Sequence, residues 1–308
     1  MTNSTAEELL FREALFAKVF DLADEFGGSL TRAQLGAVEF LNTKVRVIDI
    51  QGGIWNPGAA WPFDQVLQAT LSINTTLSEK YTDTEVESGL WRYDYQSGGI
   101  AGKNNKLRKA MELQLPLLWF VQQEDRRYVP YKVWVIEDFP ELNYCHIAPD
   151  LSLAAVLNSS PGVHTEVERR YALREVKQRL HQPAFRAQVI SAYQNRCSIC
   201  RLNHAKLLEA AHIIPDSLEN STSEITNGIS LCKIHHSAYD NFFIGISPQY
   251  VVHVRPDLLE EKDGPMLKYG IQEMNQVELF LPLKEGNKPN KEFLNWRFAQ
   301  FSERASSS

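Results

Sequence analysis

Two pairs of metal-binding residues constrain this chain more than any other feature of its sequence. Cys197-x-x-Cys200 and Cys232-x-x-His235 each place two ligands at zinc-knuckle spacing, where a tight turn can aim both side chains inward. The two pairs contain three of the chain's 4 cysteines. Together they predict one structural zinc ion, Zn2+, held by a Cys3His ligand set.

Three further polar residues are interleaved with these pairs. His212 and Asn227 lie between the pairs, and His236 directly follows the second pair. A tetrahedral zinc ion that already has four ligands does not need His236. This order of residues resembles the HNH nuclease family of the ββα-metal fold, over about residues 185–255. A Cys3His cluster alone is more often a purely structural knuckle, and the three additional residues favour a nuclease.

The resemblance to HNH nucleases implies a role for each additional residue. His212 would be the general base that activates water, Asn227 would brace the loop that carries it, and His236 would bind a catalytic divalent cation, Mg2+ or Mn2+. Asp240 follows His236 by four residues, so on a helix both side chains share one face and can hold the same ion.

The chain departs from the family pattern at one position. Many HNH enzymes have an aspartate ligand directly before the base, where this chain has Ala211. Three outcomes are open: Asp240 supplies the missing carboxylate, Glu209 supplies it, or the site is weakened.

Length, composition and cysteine usage narrow the class of protein. A chain of 308 residues suggests two domains, and Cys145 as the only cysteine outside the ligand pairs excludes a disulfide framework. No run of 18 or more apolar residues occurs, and the first residues include acids where a signal peptide has a basic start. We therefore expect a soluble, cytoplasmic protein without a membrane partner.

One basic segment stands out in a chain whose net charge is -6. Between Glu166 and Arg201, eight Lys or Arg residues face three acids, a local net charge of +5. Such a run is often only a solvated helix face, but its place beside a nuclease favours contact with DNA phosphates. The residues assigned to that contact are Arg169, Arg170, Arg174, Lys177 and Arg179.

Hydrophobic periodicity divides the rest of the chain into helices and short strands. Helices are predicted at residues 6–26, 30–41, 104–113, 166–181, 185–193 and 293–301. Pro183 is expected to separate the helix at 166–181 from the helix at 185–193. Strands are predicted at residues 44–51, 66–73, 115–121, 129–136 and 250–254. Residues 158–162 read as a linker, and residues 306–308 as disordered.

The β-rich half carries a second, weaker resemblance, over about residues 50–145. Its segments Tyr81–Asp83, Tyr93–Gly99, Asn104–Leu107, Pro116–Leu118 and Tyr128–Val135 are similar to the SRA domain family, whose PUA-like β-barrels read modified cytosine. The resemblance implies that Tyr81 and Tyr93 sandwich a flipped base while Asp83 or Asp94 reads its pairing edge. The alternative is that these tyrosines are ordinary packing residues.

The two resemblances combine into one architecture of class α+β. Residues 1–150 form an SRA-like curled β-barrel, residues 151–184 a linker and basic helix, and residues 185–308 the zinc-containing HNH nuclease domain. Such a chain is similar to modification-dependent (type IV) restriction endonucleases. Its expected partner is double-stranded DNA carrying 5-methylcytosine or 5-hydroxymethylcytosine, cut by a homodimer formed at least on DNA. The alternatives are a modified-DNA binding protein with a decayed nuclease and a nicking enzyme without modification dependence.

Overall fold

The structure is a computed structural model in which residues 5–49, 51–58, 61–77, 84–85, 90–96, 102–157, 159, 163–218, 221–262 and 264–306 are described. The chain divides into two units: residues up to Ala23 together with Gly28–Pro183, and residues Asp24–Gly27 together with Ala184–Ser308. Both units combine helices with β-strands, which confirms the α+β class. No helix in the described ranges is long and apolar enough to cross a membrane.

Nine strands lie in the first unit, counting only its described residues. A hairpin of β1 and β2 is separate, and the other seven strands form one sheet in the order β3-β4-β7-β8-β9-β6-β5. Among the described strands, only β4 and β7 pair in parallel. The strands are β1 (Val38–Phe40), β2 (Thr43–Val45), β3 (Ile54–Trp55), β4 (Ser72–Thr75), β5 (Thr84–Glu85), β6 (Trp91–Asp94), β7 (Leu117–Gln122), β8 (Tyr128–Phe139) and β9 (Tyr144–Ala148).

The seven-stranded sheet is strongly curled around its longest strand. β8 pairs with β7 through its first half and with β9 through its second, with an irregularity between Val135 and Glu137. Trp91 on β6 lies 5.1 Å from Trp119 on β7, between ring centroids, although two strands separate β6 from β7 in the sheet. Within the described residues the strand order has two open ends, so the predicted closed barrel is not seen.

The helices of the first unit match the sequence expectations unevenly. The predictions at residues 6–26 and 104–113 correspond to α1 (Thr5–Glu25) and α3 (Lys103–Glu112). The prediction at residues 30–41 is wrong, because α2 is a single turn, Arg32–Leu35, that a Thr31–Gln34 capping box starts. The segment at residues 151–184, predicted as a linker and basic helix, also contains α4 (Leu151–Leu157), and residues 158 and 160–162 lie outside the described ones.

A buried ion pair explains why the strand predicted at residues 66–73 begins only at Ser72. Glu8 and Arg12 on α1 are both 0% exposed and pair at 2.7 Å. The Arg12 guanidinium donates to the carbonyl oxygens of Ala69 and Thr70, and the Glu8 carboxylate accepts from the Gln68 N–H. These backbone groups are therefore bound by side chains of α1 and cannot join a β-ladder.

The second unit is built around a hairpin and one short helix. β10 pairs antiparallel with β11, and α6 follows β11 directly, which gives the ββα order. The core of this unit includes the end of α5, both strands of the hairpin and Tyr239 of α6. Its elements are the part of α5 (Glu166–Ala192) that follows Pro183, and then β10 (Leu208–His212), β11 (Gly228–Cys232), α6 (Lys233–Asp240), β12 (Ile244–Ile246), β13 (Val252–Val254), α7 (Pro256–Glu260), α8 (Pro265–Gly270) and α9 (Lys291–Ser306).

The expectation that Pro183 separates two helices is wrong, because α5 is one continuous helix. The helix continues through this proline, and the division between the two units falls directly after it. Proline removes one intrahelical hydrogen bond. Buried side chains on both sides, including Leu180 and Phe185, offset that loss by packing. At the other end of the unit, the predicted helix at 293–301 lies inside α9, which extends to Ser306 and so overlaps the segment expected to be disordered.

The buried pair on α1 gives a stability prediction for the first unit. Arg12→Met should lower the free energy of unfolding by about 3–5 kcal/mol, because the Glu8 carboxylate stays buried without its charged partner. Urea denaturation followed by tryptophan fluorescence measures this loss. Lys109→Met, which breaks the exposed pair with Glu112, is the control and should cost less than about 1 kcal/mol. Equal losses for the two variants would contradict the account.

Candidate active site and metal centre

The two ligand pairs converge on one point of the second unit. Nδ1 of His235 lies 3.4 Å from Cys197 Sγ and 3.2 Å from Cys232 Sγ, and the Sγ atoms of Cys200 and Cys232 lie 3.9 Å apart. All four ligand atoms are within 4.8 Å of one another. Neighbouring ligands of a tetrahedral zinc, at about 2.0–2.3 Å from the ion, lie about 3.3–3.8 Å apart. The Cys3His group can therefore hold a metal ion, and its dimensions suit zinc.

Two further features prepare this group for a cation. The Nε2–H of His235 donates to the carbonyl oxygen of Gly270 at 2.8 Å, which leaves Nδ1 free to act as the ligand. Hydrogen bonds from Cys197 and Cys200 lower the pKa of the Cys232 thiol, which favours its thiolate form. The role of Gly270 has no signal in the sequence, because it lies 35 residues beyond His235.

The ββα hairpin sets the positions of His212, the expected base, and of Asn227. His212 is the last residue of β10 and pairs with Gly228, the first residue of β11. Asn227 directly precedes Gly228 and ends a short 3-10 helix, Ile225–Asn227. The pairing therefore brings His212 and Asn227 together although 15 residues separate them in the chain.

Asn227 is fully buried and binds the loop that follows His212. Its side-chain oxygen accepts from the Ile214 N–H at 2.8 Å, and its Nδ2 donates to the carbonyl oxygens of Thr222 at 2.8 Å and Ile214 at 3.2 Å. Its own carbonyl oxygen accepts from the Ile213 N–H at 2.9 Å. One amide thus fixes both ends of this loop.

The imidazole of His212 stacks on an aromatic ring that the sequence did not single out. Phe185, on α5, lies 4.0 Å from it between ring centroids at an interplanar angle of 14°. Burial lowers the pKa of His212, and the nearby His236 acts in the same direction, whereas Asp216 and Asp240 raise it. The net lowering keeps the imidazole neutral at pH 7, which is the form that can accept a proton.

His236 lies between two carboxylates. Its Nδ1 is 2.7 Å from Glu209 Oε2, on β10, and its Nε2 is 3.3 Å from Asp240 Oδ2, one turn along α6. If Nδ1–H donates to Glu209, the Nε2 lone pair faces the Asp240 oxygen, and two such acceptors need a proton or a cation between them. Cis ligands of an octahedral Mg2+ at about 2.1 Å lie about 3.0 Å apart, so this pair can take two positions of one cation.

The alanine at the position of the usual aspartate is a core residue. Ala211 is 0% exposed and belongs to the hydrophobic core of the second unit. A carboxylate there would be buried among apolar side chains, which is costly unless the charge is paired. Glu209 and Asp240, by contrast, both reach His236 from partly exposed positions.

The residues expected to read a base are placed less favourably. Tyr81 and Asp83 lie outside the described residues. Tyr93 is 3% exposed and its hydroxyl donates to the Gly53 carbonyl oxygen at 2.9 Å. Asp94 accepts from Arg92 at 2.7 Å. A base can stack on Tyr93 only after the side chains that cover its ring move.

The five residues assigned to DNA phosphates all lie on α5. Arg179 pairs with Asp150 at 2.6 Å, and Arg169 donates to Ser159. Arg170, Arg174 and Lys177 are exposed, and their spacing places them on one face of the helix.

A family model described as HNH endonuclease matches residues 197–247. This range contains the Cys3His group together with His212, Asn227 and His236. The chain therefore carries an HNH nuclease domain, and the prediction of an HNH endonuclease is confirmed.

No curated protein matches the chain, whereas several solved structures do, two of which are described below. The modification-dependent TagI restriction endonuclease is 15% identical with a TM-score of 0.30, over 90% of this chain and 92% of that one. The type IV phosphorothioation-dependent restriction endonuclease ScoMcrA is 12% identical with a TM-score of 0.20, over 54% of this chain and 48% of that one. Because both TM-scores are low, neither structure assigns a function to this chain.

The Cys3His group predicts the zinc content of the purified protein. Purified protein should contain about one tightly held zinc ion per chain, and Cys200→Ser should lower both the zinc content and the unfolding temperature. Elemental analysis and a thermal melt measure the two quantities. Cys145→Ala, which removes a buried cysteine of β9, is the control and should keep its zinc. A folded wild-type protein without metal would overturn the assignment.

Proposed function

We propose that this protein is a modification-dependent restriction endonuclease that cuts DNA carrying modified cytosine with its HNH site. The observation that carries the nuclease chemistry is the arrangement of His212, His236 and Asp240. His212 stands at the end of β10, within electrostatic range of His236 and Asp240, whose facing atoms are 3.3 Å apart. A neutral base beside a paired nitrogen and carboxylate is what hydrolysis of a phosphodiester requires.

Each residue of the proposed site has one task. His212 accepts the proton of the attacking water at a ring nitrogen, while the Phe185 ring holds the imidazole in place. Asn227 fixes the loop after His212, so the base keeps its direction. Glu209 accepts the Nδ1–H of His236 and leaves Nε2 directed toward Asp240. A divalent cation held by His236 and Asp240, Mg2+ or Mn2+, would offset negative charge on the attacked phosphate.

The burial of Ala211 argues against the alternative of a modified-DNA binding protein with a decayed nuclease. A lost ligand would leave a gap facing the site, whereas Ala211 is packed in the core. We therefore assign the carboxylate ligand to Asp240 and the orienting carboxylate to Glu209. The alternative in which Glu209 itself replaces the aspartate would have to use its other oxygen, because Oε2 lies 2.7 Å from Nδ1 of His236.

The reading of modified cytosine by base flipping rests on the resemblance of the first unit to SRA domains. Its curled sheet of seven strands supports that proposal, as does the exposed basic face of Arg170, Arg174 and Lys177, which can contact phosphates. The proposal also includes zinc as the ion of the Cys3His group and a homodimer on DNA. One HNH site cuts one strand, so a double-strand break needs two protomers.

A nicking enzyme without modification dependence is the second candidate. The observation that favours it is the burial of Tyr93, whose ring is covered and whose hydroxyl is already hydrogen-bonded. In that case the first unit would recognise the shape or the sequence of DNA.

Catalysis can be separated from binding by substitution. His212→Ala should lower the cutting rate by about 10²–10⁴-fold and leave DNA affinity unchanged, because it removes a base and no phosphate contact. Asp240→Ala should raise the Mg2+ or Mn2+ concentration needed for cutting. Plasmid cleavage and gel-shift titration measure both effects. His204→Ala, an exposed histidine ahead of β10, is the control. Normal cutting by Asp240→Ala with loss of cutting in Glu209→Ala would reverse the two roles.

Matched DNAs that differ only in cytosine modification test the substrate. Modified duplex should be cut, and Tyr81→Ala or Tyr93→Ala should weaken its binding by about 1–3 kcal/mol, the value of one stacking partner. Arg174→Glu should instead weaken modified and unmodified DNA alike and flatten the salt dependence. If the tyrosine variants keep the full preference for modified duplex, or if no preference exists, the nicking enzyme replaces the reader.

A further inference from the structure

The end of helix α6 is held by an arginine from a distant part of the chain. Nη2 of Arg297, on α9, donates to the carbonyl oxygens of Tyr239 at 3.2 Å and of Asp240 at 3.3 Å. Carbonyl groups in the last turn of a helix lack partners within the helix, and a cation at this end is also favoured by the helix dipole. Arg297 therefore fixes the last turn of α6, which carries Asp240.

The two oxygens of the Asp240 carboxylate have different neighbours. Oδ1 lies 3.8 Å from Nη2 of Arg297, whereas Oδ2 lies 3.3 Å from Nε2 of His236. The arginine thus forms an ion pair with one oxygen while the other faces the proposed cation position. A carboxylate held on one side in this way keeps a single orientation, which a metal ligand needs.

The guanidinium itself has little freedom to move. The Arg297 side chain is 7% exposed, and its Cζ lies 4.1 Å from the ring centroid of Phe242 and 5.0 Å from that of Tyr239. Helix α9 is anchored where Phe301 covers Gly245 of β12, since a Cβ added at Gly245 would lie 2.4 Å from the Phe301 ring. Arg297 is therefore a rigid support.

We propose that Arg297 is a positioning residue for the catalytic cation, acting through Asp240. This inference rests on the proposed nuclease function, in which Asp240 is a ligand. Arg297 lies outside residues 197–247, the range that the HNH family model matches, so the motif does not include it. The active site accordingly extends to α9, 57 residues beyond Asp240.

The experiment measures metal binding directly and compares it with cutting. Mn2+ is titrated into the zinc-loaded full-length protein and followed by electron paramagnetic resonance, and the Mn2+ dependence of plasmid cleavage is measured in parallel. Arg297→Gln should weaken Mn2+ binding at the cation site by about tenfold, the lower range for losing a group that orients a ligand. Cleavage should need a correspondingly higher Mn2+ concentration, and saturating Mn2+ should restore most of the rate. Arg297→Lys, which keeps the charge, should recover part of the affinity.

Two controls separate positioning from general damage. Arg304→Gln alters the same helix about 10 Å further along, where the guanidinium lies 3.8 Å from the Phe242 ring centroid, and should leave Mn2+ affinity unchanged. Zinc content and the unfolding temperature of each variant report on the fold. If Arg297→Gln unfolds below the assay temperature, Arg297→Lys is measured in its place, and unchanged Mn2+ affinity in that folded variant overturns the inference.

A double substitution tests whether the effect passes through Asp240. Adding Arg297→Gln to Asp240→Asn should cost no further Mn2+ affinity, since the group that Arg297 holds has already lost its charge. Unchanged Mn2+ affinity in folded Arg297→Gln, or a full additional loss in the double variant, overturns the inference. Failure of the proposed function is distinct: in that case His236→Ala leaves Mn2+ binding unchanged and the wild-type protein cuts no DNA.

Discussion

The Cys3His group is the constraint on which the nuclease unit depends. It ties the turn at Cys197–Cys200 to the last residue of β11, Cys232, and to the first turn of α6 through His235. Cys232 pairs with Leu208 in the hairpin, so the cluster also fixes the register that sets His212 opposite Gly228. A slip of one residue would turn His212 to the other face of the hairpin. The position of His212, the proposed base, therefore follows from the candidate ligands.

Adjacent histidines on α6 serve the cluster and the candidate active site separately. Consecutive residues of an α-helix point about 100° apart, so His235 can face the cysteines while His236 faces Glu209 and Asp240. The same helix thus connects the Cys3His group rigidly to the proposed cation site. Arg297 supports the last turn of this helix, whereas the Cys3His group contacts its first turn.

The first unit is stabilised by a different device. Arg12 and Glu8 bring buried charges from α1 to the backbone of residues 68–70, and Arg12 also donates to the carbonyl oxygen of Pro116 directly ahead of β7. A buried pair of this kind binds polar backbone that would otherwise lack partners. The curled sheet is thereby fixed to its helix at the point where β4 and β7 begin, and its open ends lie elsewhere.

The sequence by itself determined the candidate metal ligands, the HNH order of residues, and the histidine and aspartate that share one face of α6, because ligand chemistry and helical spacing are local properties. It also located α1, α3 and the core of β7, β8 and α9, where hydrophobic periodicity is long. It failed at α2 and the strand at residues 66–73, where capping and a buried arginine override propensity.

Only the tertiary structure decided the remaining features of the site. Phe185 stacks on His212 across 27 positions of the chain, Gly270 accepts from His235, and Arg297 reaches Asp240. None of these contacts has a periodicity or a spacing that a sequence displays. The roles of Glu209 and Asp240 were open for the same reason, since which carboxylate meets which nitrogen of His236 depends on how β10 packs against α6.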